Sequence, residues 1–154
     1  MTWDKKKWEL ELHSISQLTH EILALFPKGA VIGLSGELGS GKTTLVRSVI
    51  QAIAEKQKIH LDRVVSPSFV LHQSYPKLNP PVHHFDLYRL NQVTEPMLIE
   101  LGFYDSVEEA LSKQGYVFIE WPEMCVDEKT LKLTAKISIE IRETSRVYLF
   151  ENKI

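Results

Sequence analysis

A glycine-rich stretch carries the residue types that bind a chain of phosphates. Residues 36–43 read GELGSGKT and complete the pattern G-x-x-x-x-G-K-[ST]. Glycines let the backbone curl so that successive N–H groups point at one phosphate chain. In such a loop Lys42 can reach the β- and γ-phosphates, and the hydroxyl of Thr43 can ligate Mg²⁺. This phosphate loop (residues 36–43) therefore predicts a site for a phosphorylated ligand and a divalent cation.

A strand and a helix must hold the phosphate loop in place. Residues 30–34 form a short apolar run before it, and apolar residues recur at helical spacing after it. The positive end of the helix dipole would then face the phosphates. The alternative, a glycine-rich turn with a chance lysine, leaves both flanking patterns unexplained. The spacing therefore predicts a strand, a phosphate loop and a helix that runs to about residue 56.

Asp86 is an acid within an otherwise apolar and aromatic run. Residues 82–90 read VHHFDLYRL, which predicts a strand. Because an unpaired buried carboxylate is costly, Asp86 must face solvent or have a cationic partner, which near a phosphate loop could be Mg²⁺. His83 and His84 point to opposite faces of such a strand, so they cannot readily share one metal. We expect each histidine to be hydrogen-bonded or exposed.

Glu120 is a second acid, at the end of a buried strand. Residues 116–121 read YVFIEW, and Pro122 closes the run. An apolar strand that ends in an acid is typical of a Walker B element, whose carboxylate emerges beside the phosphate loop. We therefore expect Mg²⁺ on Thr43, with Glu120 and Asp86 at or near its shell. Lys42, Asp86 and Glu120 are the candidate catalytic residues, and either acid could orient an attacking water.

The first and middle parts of the chain predict further strands and helices. Residues 8–13 alternate like a strand, and residues 14–26 have helical spacing with Ser14 as the N-cap. Residues 95–101 and 105–113 predict two short helices, the second capped by Ser106.

Two remaining segments complete the predicted fold. Residues 61–75 are extended with a hydroxyl-rich break at 66–68, which is either a loop that senses the γ-phosphate or an ordinary turn. The tail alternates on both sides of residues 143–145, which predicts an antiparallel hairpin. The pattern favours an α/β, P-loop NTPase-type three-layer sandwich. Its sheet would be mixed and mainly parallel, with antiparallel additions at the C-terminus.

Composition limits the classes of protein to consider. The 154 residues fit one domain, residues 1–154, and the formal net charge of -2 excludes a global basic field for nucleic acid. Cys125 is the one cysteine, so an intramolecular disulfide is impossible. The charged start does not resemble a signal peptide, and no stretch approaches the ~18 apolar residues of a membrane span. We expect a cytoplasmic protein with no membrane partner.

With four segments in view, the chain resembles the TsaE (YjeE) family, the P-loop ATPases of the bacterial tRNA threonylcarbamoyladenosine pathway. The segments are the phosphate loop, SPSF (residues 66–69), HFDLYRL (84–90) and IEWPE (119–123). They follow the family's order and spacing over nearly the whole chain, and the last two are specific to that family. The resemblance implies a P-loop ATPase fold with ATP and Mg²⁺ as cofactors.

The resemblance also implies a role for each matching residue. Thr43 is the implied Mg²⁺ ligand, Glu120 the Walker B carboxylate at the metal, and Asp86 an acid close to the metal and the γ-phosphate. Trp121, beside Glu120, is the implied partner-coupling residue. The implied nucleotide contacts are Gly36, Glu37, Leu38, Gly39, Ser40, Gly41, Lys42, Thr43, Thr44 and Ser16.

Two segments depart from the family's pattern. Ser66 and Ser68 match a switch-like segment, but Ser68 stands where threonine is usual. The hydroxyl is kept, whereas the lost methyl group leaves the rotamer less fixed. Residues 95–101 are less acidic than the family's helix there, which bears on partner affinity rather than on the ATP site.

The implied activity is slow, Mg-dependent ATP hydrolysis, stimulated by a partner complex. The family's partners are TsaD and TsaB, which transfer a threonylcarbamoyl group to an adenosine of tRNA. Hydrolysis by the family's ATPase resets that complex, so its contact with tRNA is indirect. No arginine is evident as a finger, and the lack of one typically costs ~10³–10⁵ in rate. The alternatives are a small-molecule or nucleotide kinase, although residues 95–115 lack the arginines of a lid, and a non-hydrolytic nucleotide switch.

Substitutions of the three candidate catalytic residues test these assignments. We expect Lys42→Ala to weaken ATP binding, because it removes the cation that reaches the phosphates. Asp86→Ala and Glu120→Ala should mainly slow hydrolysis, because they remove acids from the metal site. ATP affinity and the single-turnover rate are measured for each variant, and full hydrolysis by Glu120→Ala would refute its assignment to the metal site.

Overall fold

A single mixed sheet organises the part of the chain that the computed structural model describes, residues 3–11, 14–61 and 71–153. Within these residues the strands and helices follow the order that the sequence predicts. The strands are β1 (Trp3–Glu11), β2 (Ala30–Gly36), β3 (His72–Tyr75), β4 (Val82–Asp86), β5 (Tyr116–Glu120), β6 (Ala135–Ile141) and β7 (Ser145–Lys153). The helices are α1 (Ile15–Leu25), α2 (Lys42–Lys56), α3 (Glu95–Glu100) and α4 (Phe103–Ser112).

The strands lie in the order β1-β7-β6-β2-β5-β4-β3. The central strands β6, β2, β5 and β4 are parallel to their neighbours within that group. The pairs β1–β7, β6–β7 and β3–β4 are antiparallel. The mainly parallel centre and the C-terminal hairpin are confirmed, and the structure adds antiparallel strands at both edges of the sheet. A central position suits β2, because its apolar residues are buried on both faces.

Helices cover both faces of the sheet, which confirms the three-layer sandwich. The apolar faces of α1 and α2 pack on alternate residues of β2, including Ala30, Ile32 and Leu34. The other face of the sheet packs against α3, α4 and the short 3-10 helices Pro122–Met124 and Glu128–Leu131. Between these layers, parallel pairing places the carboxyl ends of the central strands at one end of the sheet.

Three local predictions differ from the structure. β4 ends at Asp86 rather than at residue 90, because the chain then turns, closed by the hydrogen bond from the Leu90 N–H to the Leu87 carbonyl. Ser14 occupies the N-cap position of α1 without a side-chain cap bond. Ser106 does not cap a helix: it lies inside α4, whose N-cap is Gly102. Residues 66–69 lie outside the described residues.

A hydrogen-bonded pair of histidines joins the β3 edge of the sheet to α4. The ring nitrogens His72 Nε2 and His83 Nδ1 are 2.9 Å apart, and His83 Nε2 lies 2.9 Å from Glu109 Oε2. The His72 ring stacks on Phe85 with a centroid distance of 4.1 Å. Burial, reinforced by the nearby positive charge of His83, lowers the pKa of His72 from 6.5 to about 4. His72 is therefore held in its neutral form over the range in which free histidine titrates.

The pKa of His72 predicts a pH dependence of stability. Below pH 6.5 the unfolded chain protonates this histidine, whereas the folded protein does so only near pH 4. The free energy of unfolding therefore falls as the pH drops through this window, by roughly 1–2 kcal/mol after allowance for the partly exposed ring. We expect His72→Gln to lose that part of the slope in urea unfolding at pH 7 and pH 5. An unchanged slope in the variant would contradict the assignment.

Candidate phosphate and metal site

The sheet brings the two predicted acids together. β4 and β5 are parallel, and Asp86 is in register with Glu120. β2 lies on the other side of β5 and ends at Gly36, where the phosphate loop begins. Because the carboxyl ends of parallel strands share one edge, both acids reach the pocket beside the loop. A fixed register thus accounts for a site built from residues far apart in the sequence.

The phosphate loop has the backbone geometry that its glycines predict. Gly39 and Gly41 adopt left-handed conformations with φ of 81° and 104°, which side-chain-bearing residues rarely adopt. A Cβ at Gly36 would lie 2.6 Å from Ser40 Oγ and 2.7 Å from the carbonyl oxygen of Ile139, so the loop packs against β6 without room for a side chain. α2 begins directly after Gly41, so its first-turn N–H groups face the pocket as an anion site requires.

Lys42 contacts the loop's own carbonyl groups and an aromatic ring. Its ammonium donates to the carbonyl oxygens of Gly36 at 2.6 Å and Glu37 at 3.0 Å. The same nitrogen lies 4.0 Å from the centroid of the Trp121 ring, a cation–π contact. Burial lowers the pKa of Lys42, and the negative charges of Glu120 and other nearby acids oppose that shift.

Both oxygens of the Glu120 carboxylate have partners. The hydroxyl of Thr43 donates to Oε1 at 2.7 Å, and Nε2 of His84 lies 2.6 Å from Oε2. Glu120 is 1% exposed, so these contacts replace the water that its charge would otherwise bind. The first turn of α2 is thereby tied to the end of β5.

Asp86 lies at the end of β4, where the chain turns back over the pocket. Its Oδ1 accepts a hydrogen bond from the backbone N–H of Tyr88 at 3.0 Å. The Tyr88 ring packs on the Trp121 ring with a centroid distance of 4.8 Å. Trp121 itself has φ of 61°, so the chain leaves the sheet immediately after Glu120. Two aromatic rings therefore line the same pocket as the two acids.

These features enclose a pocket of about 350 Å³. Among the sequence-predicted site residues, its lining includes Leu38, Gly39, Gly41, Lys42, Thr43, Thr44, Asp86, Glu120 and Trp121. Gly36 and Glu37 contact the Lys42 ammonium through their carbonyl groups, and Ser40 Oγ lies 3.5 Å from it. Ser16 lies on α1 and is not among the lining residues, so its role stays a prediction. Ser66 and Ser68 lie outside the described residues.

Arg89 also lines the pocket, together with Tyr88. The sequence predicts a continuous strand through residue 90, which would have carried Arg89 away from the loop. A turn closed by the hydrogen bond from Leu90 N–H to the Leu87 carbonyl places it at the pocket instead. Arg89 follows Asp86 closely in the sequence, and this short spacing was the available signal for it. The spacing brings Arg89 to the pocket only because β4 ends at Asp86.

The donor atoms at the site suit a hard divalent cation. Thr43 Oγ1 and Glu120 Oε1 lie 2.7 Å apart, and Asp86 is in register with Glu120 on the neighbouring strand. Hydroxyl and carboxylate oxygens are the ligands that Mg²⁺ prefers. The residues present therefore fit Mg²⁺, with Lys42 available for phosphate charge.

Strand order and phosphate loop together define an α/β protein with a P-loop NTPase-type fold. A family model described as threonylcarbamoyl adenosine biosynthesis protein TsaE matches residues 11–148. The chain belongs to the TsaE family, whose members are involved in the biosynthesis of tRNA threonylcarbamoyladenosine.

Individual relatives agree with this assignment. A tRNA threonylcarbamoyladenosine biosynthesis protein TsaE from Synechocystis is 31% identical over 113 residues, which cover 73% of this chain and 67% of that protein. A protein of the same name from Streptomyces coelicolor is 33% identical over 119 residues, covering 74% of this chain and 71% of that protein. One from Rickettsia felis is 37% identical over 94 residues, covering 61% of this chain. The match spans only about half of that protein, 48% of its length.

A solved structure supports the fold. The crystal structure of Bacillus subtilis YdiB is similar with a TM-score of 0.66 and 22% sequence identity, covering 99% of this chain and 88% of that chain. Throughout residues 3–11, 14–61 and 71–153, no helix has the length and apolar character needed to cross a bilayer.

The contact between Lys42 and Trp121 predicts an optical signal for phosphate binding. A triphosphate would draw the ammonium away from the indole ring, because phosphate oxygens are stronger partners than an aromatic face. We expect the tryptophan emission to change when ATP is added. Trp121→Phe should abolish the change even though Trp3 and Trp8 remain, and a change that persists in that variant would contradict this contact as its source.

Proposed function

We propose that this protein is a slow, Mg-dependent ATPase that acts on the TsaD–TsaB complex during tRNA threonylcarbamoyladenosine modification. The observation that carries the proposal is the arrangement of Lys42 and Thr43 on a phosphate loop that faces the paired acids Asp86 and Glu120. Family membership supplies the pathway. The protein would work in the cytoplasm as a single ATPase domain.

The loop amides and Lys42 would bind the triphosphate. The helix dipole of α2 and the left-handed glycines present N–H groups to an anion. Lys42 exchanges its contacts with the Gly36 and Glu37 carbonyls for phosphate oxygens, a stronger charge-assisted interaction. The phosphate loop and Lys42 would thus bind and orient the β- and γ-phosphates.

Thr43, Glu120 and Asp86 would hold Mg²⁺. When bound, the ion neutralises charge that develops on the oxygen between the β- and γ-phosphates. The Thr43 hydroxyl donates to Glu120, so its oxygen lone pairs remain directed away from that carboxylate. These residues therefore keep a set of oxygen ligands in place near the phosphates.

Arg89 would supply a second positively charged side chain at the phosphates, for which the sequence alone indicated no arginine. It lines the same pocket as Lys42, so it can stabilise negative charge on the γ-phosphate. It lies in the turn after β4 rather than on a strand or helix, so a partner that contacts this turn can change its position. We propose that TsaD–TsaB stimulates hydrolysis in this way.

The exposed residues at the mouth of the pocket can be contacted by a partner, so they can transmit to it whether nucleotide is bound. Leu38 at the tip of the loop is 69% exposed and Tyr88 is 45% exposed, while Tyr88 packs on Trp121. Trp121 in turn contacts Lys42, so the phosphate loop and the exposed rim are linked through this pair of rings. Contact with tRNA would be indirect, in keeping with the net charge of -2.

Single-turnover hydrolysis of labelled ATP tests the proposed function. We expect slow ADP formation by the protein alone, acceleration when TsaD and TsaB are added, and loss of both in Lys42→Ala. Both rates should depend on Mg²⁺, so EDTA is the matched control. Transfer of the label to a metabolite would instead identify a kinase, and the absence of ADP under every condition would identify a non-hydrolytic switch.

A further inference from the structure

We propose that His84 is a positioning residue that holds the Glu120 carboxylate in the orientation that the metal site requires. The inference rests on the proposed function and extends it to a residue outside the phosphate loop and the two acids. It is carried by the buried contacts on one face of β4 and β5.

The strand register places His84 next to Glu120. His84 lies two residues before Asp86 on β4, so both side chains are on the face of the sheet that carries Glu120. The side chains of His84 and Glu120 are 0% and 2% exposed, and His84 Nε2 is 2.6 Å from Glu120 Oε2. An ionised carboxylate only accepts hydrogen bonds, so Nε2 of His84 carries the hydrogen.

Glu120 is therefore held from both sides. The hydroxyl of Thr43 fixes Oε1, and the imidazole of His84 fixes Oε2. With either contact alone, the carboxylate could rotate about its final bond. With both contacts, the oxygen nearest Thr43 keeps one direction, as a ligand to a cation must.

Packing alone does not account for this histidine. On the side away from the pocket, its neighbours on the same face are apolar: Val82 on β4 and, in register, Phe118 on β5. Within the described part of the chain, Nδ1 of His84 is buried and has no hydrogen-bond partner. A buried polar atom of this kind is unfavourable, so an apolar residue would serve the core better. The bond to Glu120 is the feature that an apolar residue would lose.

His83 provides a matched control on the opposite face of the same strand. It is also buried and also lies 2.9 Å from a glutamate oxygen, that of Glu109. That glutamate is 43% exposed on α4, and neither residue lines the pocket. A general effect of losing a buried histidine from β4 should appear at both positions, whereas an effect on the metal site should appear only at His84.

The test compares ADP affinity with and without Mg²⁺ by calorimetry. His84→Asn withdraws the donor from Glu120, because its amide ends near the position of Nδ1. His84→Gln extends the amide to the position of Nε2. His84→Leu is a second variant without a donor, should the asparagine variant fail to fold, and thermal melts verify folding in each case.

We expect the gain in ADP affinity on adding Mg²⁺ to fall roughly 10- to 100-fold in His84→Asn and His84→Leu, the usual range for a residue that orients a metal ligand. Affinity in EDTA should stay within about twofold of the wild type, because the loop amides and Lys42 are untouched. His84→Gln should recover most of the loss, and His83→Leu should behave like the wild type.

Each other outcome is decisive. An unchanged Mg²⁺ gain in both donor-free variants would overturn the inference, as would an equal loss in His83→Leu or no recovery in His84→Gln. A wild type that binds Mg·ADP in this way but never hydrolyses ATP would overturn the proposed ATPase and leave the inference standing. A wild type that binds no nucleotide would overturn both.

Discussion

The site depends on one buried charge, the carboxylate of Glu120. It lies inside the molecule, where an ionised group is tolerated only with hydrogen-bond partners that replace water. Those partners come from two separate elements, Thr43 on α2 and His84 on β4. Removing one of them would leave a buried acceptor unsatisfied, at a cost of about 1–3 kcal/mol. Helix, strand and loop must therefore be correctly aligned before this charge can be buried.

The strand pairing of the sheet provides this alignment of helix, strand and loop. Parallel pairing of β2, β5 and β4 brings the phosphate loop and both acids to one edge of the sheet. The phosphate loop meets β6 so closely that Gly36 cannot carry a side chain. The Lys42 ammonium contacts both the loop carbonyl of Gly36 and the ring of Trp121. A series of direct contacts therefore connects the phosphate loop with the exposed ring of Tyr88.

The parts of the site predicted from sequence are those that local patterns specify. The phosphate loop is one continuous motif, and the end of β5 is marked by Glu120 followed by Trp121 and Pro122. Strand alternation also predicts that His83 and His84 face opposite sides, and each indeed has a hydrogen bond to a different glutamate.

The parts that sequence did not predict are set by distant partners. The Leu87 N–H still pairs with the carbonyl of Glu120, a residue 33 positions later, and the turn that follows ends β4 and brings Arg89 to the pocket. Likewise, α4 begins at Phe103, after Gly102 in a left-handed conformation, which leaves Ser106 inside the helix. No local spacing specifies the pairing of His84 with Glu120, because it depends on the register of two strands.

A crystal structure with Mg²⁺ and a non-hydrolysable ATP analogue would show whether the phosphate loop and the two acids form one site. We expect the Lys42 ammonium to leave the Gly36 carbonyl for the β- and γ-phosphates. We also expect Mg²⁺ to bind at Thr43, while Glu120 keeps its contact with His84. An analogue bound away from the phosphate loop, or a cation remote from Thr43 and Glu120, would show that these residues do not form a nucleotide site.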